Sequence, residues 1–226
     1  MAIKSGETTY HQAKRGIVQN GLVLNLDAGV DASYDGGTTW RDLEGGNNGT
    51  LTNGPIFDRD KGGGIVFDGS DDRMGTLSIP NETGELTCEV AMNYDALNGY
   101  HNVFEAGYNV RPMLWIDSAN KLECSYSTAS TGFTSPSSYA GQDIITTVIY
   151  NSNSSPGVKL YINGDFVGQN SQAHPAWANP RDFYFFNRQS SSEFSGTIYF
   201  FRFYNRALTA TEITQNYNVT RHRFGV

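Results

Sequence analysis

The segment GTIYFFRFYNRALTATEITQNYNVT, residues 196–220, constrains the fold more than any other stretch. Gly196 opens it, and Ile198, Phe201, Phe203 and Tyr204 make it too aromatic and β-branched for a surface loop. It reads as a strand buried on at least one face. Thr209-Ala210-Thr211-Glu212 then has the spacing of a capping box, in which the Thr hydroxyl accepts from a free backbone N–H and the Glu carboxylate reaches back. That predicts a helix over 210–218, with Ile213 and Tyr217 on one face. A strand so late in the chain needs earlier strands to pair with, and a short amphipathic helix needs a sheet to lie on.

The preceding sequence supplies the strands. LTCEVAMNY at 86–94 has a clear period of two, placing Leu86, Cys88, Val90 and Met92 inward and Thr87, Glu89 and Asn93 outward. Shorter strands are expected at 22–27, 64–69, 102–107, 112–117, 121–126, 144–150 and 183–187. VKLYINGDFVGQ is a hairpin turning on Asn163-Gly164. Between these lie Gly-, Asn- and Ser-rich loops: 28–63 with Trp40 and Leu43 as apolar anchors, 127–142, and 170–181 carrying Trp177. With 25 Gly, 13 Tyr and 13 Phe in 226 residues, turn formers and aromatics favour a sandwich or barrel over a helical bundle. No repeat or linker divides the chain. Residues 1–20 are polar without a period and read as an arm, leaving one domain over 21–226.

Several function classes are excluded or disfavoured. The net charge of −7, without a Lys/Arg block, repels phosphate backbones, so no nucleic-acid partner is expected. Lys14-Arg15 and Arg221-His222-Arg223 read as local contacts. No apolar run reaches membrane-spanning length, so no membrane insertion is expected, and the first residues lack the apolar core of a signal peptide. Cys88 and Cys124 read as core thiols. The sequence has no H-E-x-x-H, G-x-S-x-G or P-loop, and His11, His101, His174 and His222 are scattered without ligand-like spacing.

GLVLNLDAG at 21–29, TTWRDLEGGNNGTLTNGP at 38–55, IVFDGSDD at 65–72, KLYINGDFVG at 159–168 and FRFYNRALTATEITQNYN at 201–218 follow one another in an order and spacing that resembles the concanavalin A-like, laminin-G-like jelly roll. The resemblance implies an all-β fold: a two-sheet antiparallel jelly-roll sandwich with its first and last strands paired and one short C-terminal helix. It also raises carbohydrate binding, a structural calcium and attachment to a particle. The wording of the start and the Arg223-Phe224-Gly225 ending resembles the version found in tailed-phage particles. Enzymes of this fold that cleave β-glucans resemble one another in an E-x-D-x-(x)-E strand; this sequence has no Glu-x-Asp, so no catalysis is expected.

Candidate site residues follow. Calcium takes six to eight oxygens from turning loops, which makes Asp42, Asp68, Asp71 and Asp72 the candidate ligands; the alternative is that they cap turns through Asx hydrogen bonds. Sugars stack on exposed aromatic faces, which makes Trp177 the candidate platform, with Tyr139 and Phe133 beside it, whereas Trp40 and Trp115 read as core. Tyr199 and Phe200 stand where relatives often carry polar residues. Outward, they would form an apolar patch of the kind that marks protein interfaces; otherwise the helix or the arm covers them. Together with Tyr10 and Ile17 of the arm, which could reach roughly 65 Å if extended, they are the expected subunit contacts. The expected function is a non-enzymatic structural protein of a phage virion, displayed on capsid, neck or tail. Its partners would be other virion proteins, further copies of itself and host glycans. The alternatives are a lectin-like adhesin and a glycosidase.

Overall fold

The computed structural model describes residues 16–79, 84–106, 112–125, 132–152, 154–173, 181–186 and 193–225. Its strands are β1 (Leu22–Asp27), β2 (Thr39–Trp40), β3 (Gly49–Thr52), β4 (Ile56–Asp58), β5 (Gly64–Asp68), β6 (Arg73–Ile79), β7 (Glu85–Tyr94), β8 (His101–Ala106), β9 (Met113–Ile116), β10 (Lys121–Ser125), β11 (Phe133–Ser138), β12 (Ile144–Asn151), β13 (Val158–Ile162), β14 (Asp165–Gln169), β15 (Arg181–Phe185) and β16 (Ser195–Tyr204), followed by helix α1 (Ala210–Thr220). Among the described residues no helix is long and apolar enough to cross a membrane.

The strands form two antiparallel sheets. The first runs β14-β13-β12-β7-β16-β5-β4, and the second β11-β10-β9-β8-β15-β6-β3-β2. The aromatic strand β16 is the spine of the first. Its length lets one edge lie along β7 while the other pairs β5 over Ser195–Ile198 and β1 over Phe200–Tyr204. First and last strands therefore pair, as the sequence implies. Asn163 and Gly164 both take positive φ, 52° and 82°, the two-residue turn that matches strand twist. A Cβ on Gly164 would stand 2.9 Å from Tyr217 Cδ1, so this hairpin also seats the helix.

The two inner faces meet in an aromatic seam. Phe201 and Phe203 of β16 point at Phe104, Phe183 and Phe185 of the second sheet, with Phe185 edge-on to Phe201 at 5.1 Å and Phe104 edge-on to Phe203 at 5.4 Å. Such pairs contribute about 0.5–1.5 kcal/mol each beyond their buried area. Trp40, Cys88 and Cys124 are buried in the same core, and both thiols are free.

Five strands lie where none is expected. β2, β3 and β4 lie inside the expected loop 28–63, β6 falls between expected strands, and β11 lies inside the expected loop 127–142. Those strands are two to seven residues long and too polar to show a period. Thr87 and Glu89 do face away from the sandwich core, yet they are buried, because α1 covers that face. The helix turns Ile213, Asn216 and Thr220 inward, with Tyr217 only half-buried. The capping box is present: Thr209 Oγ1 accepts from Glu212 N, and Arg206 grips the Glu212 carboxylate, holding it down at about 2. The body also starts before residue 21: Ile17 and Val18 are buried, and Val18 N donates to Asn216 Oδ1 at 2.8 Å.

Tyr199 and Phe200 form no exposed patch. The chain returns after α1 and lays Phe224 over both, 4.8 Å from the Tyr199 ring and 6.2 Å from that of Phe200. Arg223 anchors this latch by donating to both carboxylate oxygens of Asp27, at 2.8 and 2.9 Å. Beneath lies a buried polar cluster. Arg202 stacks on Phe200 at 3.9 Å and stands 3.7 Å from Glu89 and 3.8 Å from Asp27, while Asn216 Nδ2 donates to Glu89 and to the Tyr204 hydroxyl.

Candidate functional site

The outer face of the second sheet is built by register. Leu114 and Ile116 point into the core, so their neighbours Met113 and Trp115 point out. Opposite Trp115 stand Asn102 on β8 and Glu123 on β10; opposite Met113 stand Glu105 and Ser125. Tyr184 of β15 is paired with Glu105, and the half-exposed Tyr100 sits edge-on to Trp115 at 6.3 Å. One face thus gathers a tryptophan, two tyrosines, a methionine, an amide, a hydroxyl and two carboxylic acids.

An outer face is ordinarily solvated, yet Asn102 and Glu105 are 0% exposed and Glu123 is 6% exposed. Both amide atoms of Asn102 and the indole N–H of Trp115 are sealed from water without a hydrogen-bond partner. Leaving one such group unpaired costs about 1–3 kcal/mol. Three of them fall within one cross-strand pair. Burial also pushes the Glu123 carboxyl up, reinforced by the charge of Asp117. Within this row the atoms without partners are the Asn102 amide and the Trp115 indole N–H.

The sequence-stated candidates distribute differently. Trp177 and Tyr10 lie outside the described residues. Phe133 is no sugar platform: it packs inward across the sandwich, close enough that a Cβ on Gly168 would overlap its ring. Tyr139 also packs against the core, with its backbone N donating to the Tyr94 hydroxyl. Trp115, read as core, is instead an outward, half-buried tryptophan. Sequence reasoning missed Asn102, Glu105 and Tyr184 because their strands are short and each outward position becomes visible only once the register is fixed. The alternation PMLWID, with Trp between two core aliphatics, was the available signal.

The acidic residues also separate. Asp68, Asp71 and Asp72 bring carboxylate oxygens within 4.8 Å of one another at the β5–β6 turn. Asp72 is buried, and desolvation, then the charges of Asp68 and Asp71, raise its pKa, a crowding that a hard cation would relieve. Carboxylates on a turn are the donor type calcium takes, and two of these also cap the turn, Asp72 Oδ2 accepting from Asp68 N and Asp68 Oδ1 from Ser70 N. Asp42 does not join them: its two oxygens accept from the backbone N–H groups of Asn25, Glu44, Gly45 and Asn47 and organise its own loop. A separate cleft of about 460 Å³ opens beside Tyr34 and Phe57. Of its charged groups, Asp35 pairs with Arg41 and Arg59 lies over the Phe57 ring, while Asp31 also lines it.

Comparison with known proteins agrees with this architecture. The sequence profile described as the concanavalin A-like lectin/glucanases superfamily matches residues 68–214. No protein of curated function matches the sequence. Among solved structures, the sialidase of Trypanosoma rangeli in complex with the inhibitor DANA superposes with a TM-score of 0.68 at 16% identity, covering 93% of this chain and 36% of the sialidase. The binding domain of Paraclostridial Mosquitocidal Protein 1 gives 0.66 at 14% identity, covering 88% of this chain and 52% of that one. Domain 4 of AbnA, an extracellular arabinanase from Geobacillus stearothermophilus, in complex with arabinotriose, gives 0.64 at 16% identity, covering 90% of this chain and 100% of that domain. The chain thus spans about a third of the sialidase, and at these identities the likeness is one of fold. Two antiparallel sheets, a first strand paired with the last, and a profile match across most of the chain make this protein a member of the concanavalin A-like lectin/glucanases superfamily.

Proposed function

We propose that the protein is a non-catalytic, lectin-like glycan-binding sandwich whose binding surface is the outer face of the second sheet. The observation that carries this is the pairing of buried Asn102 with half-buried Trp115, the amide atoms and the indole N–H unpartnered beside Glu123. A sugar supplies what the pair lacks: hydroxyls that donate and accept, and an apolar face for Trp115. The arabinotriose complex of the similar arabinanase domain supports the class of ligand. Glu105 and Glu123 sit on strands separated by β9. Sheet spacings put their Cα atoms about 12 Å apart. The sequence also lacks the E-x-D-x-(x)-E strand in which the β-glucan-cleaving enzymes of this fold resemble one another. Trp115→Ala should lower glycan affinity at least about tenfold with the melting temperature nearly unchanged. Isothermal titration against a glycan panel measures it; binding that ignores Trp115, or sugar release by the wild type, would sink the assignment.

We place this module on a virion, displayed on capsid, neck or tail and held there by contacts with other virion proteins and further copies of itself. The support is the resemblance of its start and its Arg223-Phe224-Gly225 ending to tailed-phage proteins. The arm that would tether it shortens to residues 1–15, because Ile17 and Val18 belong to the body. Deleting residues 1–15 should leave the sandwich folded and abolish incorporation into particles. Normal incorporation of that deletion removes the tether. We further propose a structural calcium on Asp68, Asp71 and Asp72.

A further inference from the structure

We infer that the cleft beside Tyr34 and Phe57 is a second binding site, for one ring of an uncharged saccharide, and that it works independently of the second sheet's outer face. It lies at the β4 end of the first sheet, between the segment that follows β1 and the β4–β5 turn. Its volume of about 460 Å³ falls in the range of small-ligand sites, about 300–1,000 Å³. Its walls are fixed from behind. The two segments meet backbone to backbone at the base: a Cβ on Gly29 would overlap Gly62 O, and one on Gly63 would stand 2.8 Å from Ala28 O. Arg223 fastens them together, donating to the Asp27 carboxylate and, at 3.3 Å, to Gly63 O. Lys61, at a left-handed φ of 53°, ties the β4–β5 turn to Asp143. A cleft held in shape before the ligand arrives has little ordering left to cost it affinity.

The lining sets the ligand. Tyr34 and Phe57 stand 5.2 Å apart with their rings tilted by 58°. The Tyr34 hydroxyl already donates to Gly37 O, so this wall offers apolar ring surface. Arg59 lies over the Phe57 ring at 5.9 Å. On the other segment Asp31 is exposed, and Asp35 is held by Arg41 at 3.0 Å. Among the described residues, neither Asp31 nor Arg59 has a hydrogen-bond or salt-bridge partner for its charged group. A cation would suit Asp31 and be repelled by Arg59; an anion would suit Arg59 and meet Asp31 and Asp35. A hydroxyl donates to a carboxylate and accepts from a guanidinium, so an uncharged ligand rich in hydroxyls satisfies both at once. Adjacent hydroxyls match the two oxygens of Asp31 and the fork of Arg59. The aromatic wall then asks for an apolar face, which a sugar ring has and an open-chain polyol lacks.

The test titrates maltotriose, cellotriose, mannotriose, galactotriose and arabinotriose into the intact chain, read by amide NMR and calorimetry. At least one should shift the amide signals of Gly29, Gly62 and Gly63. Asp31→Asn and Arg59→Ala, both at exposed positions and checked for an unchanged melting temperature, should each weaken that binding at least about fivefold. Sorbitol, which has the hydroxyls without the ring, and the zwitterion glycyl-leucine should leave the three amides unmoved. Amides that stay still for every trisaccharide, or shifts indifferent to both variants, overturn the inference. So does an equal response to sorbitol or to the dipeptide. Trp115→Ala separates the two sites: shifts that persist in it support the cleft, and loss of all binding in it removes the cleft and leaves the sheet face standing. If the sheet-face reading is the one that fails, Trp115→Ala changes no affinity while the three glycine amides still move.

Discussion

Arg202 shows how much a single buried charge can organise. It is 1% exposed, held between Glu89 and Asp27 and stacked on Phe200. Removing one member of such a cluster strands the others. Arg202→Met should therefore destabilise by about 3–5 kcal/mol, and adding Glu89→Leu should recover much of the loss. The pH dependence has a definite sign. Burial raises the Glu89 carboxyl above its ordinary value, with Arg202 the main opposing influence. A carboxyl raised in the folded state favours folding at acid pH, and that contribution fades as pH climbs from its unfolded value through its folded one. Without Arg202 the raise grows, so the deficit of Arg202→Met should be smallest near pH 4 and largest near neutrality. Urea melts across that range measure it; a deficit independent of pH would show that Glu89 ionisation is not involved.

At the scale of elements, the latch after α1 does what the sequence could have assigned to a second subunit. Phe224 is 6% exposed and closes over Tyr199 and Phe200, while Arg223 ties the same turn to Asp27. Truncating a buried aromatic costs about 3–5 kcal/mol in a full core and less at its margin. Phe224→Ala should cost about 2–3 kcal/mol and uncover the two aromatics, raising dye binding and self-association. If the variant self-associates no more than the parent chain and is no less stable, the latch is ornamental. The helix itself was legible: Thr209 and Glu212 cap as their spacing predicts. Its inner face was not, because Asn216 is buried for its hydrogen bonds to Glu89 and Tyr204, which no hydrophobic period reveals.

On the scale of the molecule, the two sheets share one aromatic seam, so they should unfold in a single transition. That makes the melting temperature a clean reporter for calcium at Asp68, Asp71 and Asp72. An ion bound only by the folded state stabilises by about 2.7 kcal/mol at a hundred times its dissociation constant. For a chain of this size that is a shift of roughly 5–10 °C. Chelator should lower the melting temperature by that order, and Asp72→Asn should remove the sensitivity. A melting curve indifferent to calcium and chelator discards the ion and leaves three acids capping a turn.

What the sequence determined by itself was the class of fold: period-two segments, the Asn163-Gly164 turn and the capping box are local signals, readable because a strand's period and a turn's φ angles depend on near neighbours alone. It also placed the first strand beside the last, through resemblance. The candidate site was not local in this sense. Trp115 faces outward and Phe133 inward because of which strands β9 and β10 lie beside, and a one-residue slip would exchange their faces. Glu89 reads as a solvated position and is buried because a helix more than a hundred residues later lies on it. Asn102, Trp115 and Glu123 come from three strands and become one row only when register sets them opposite each other, which is why tertiary structure, and not any motif, decided where the candidate surface lies.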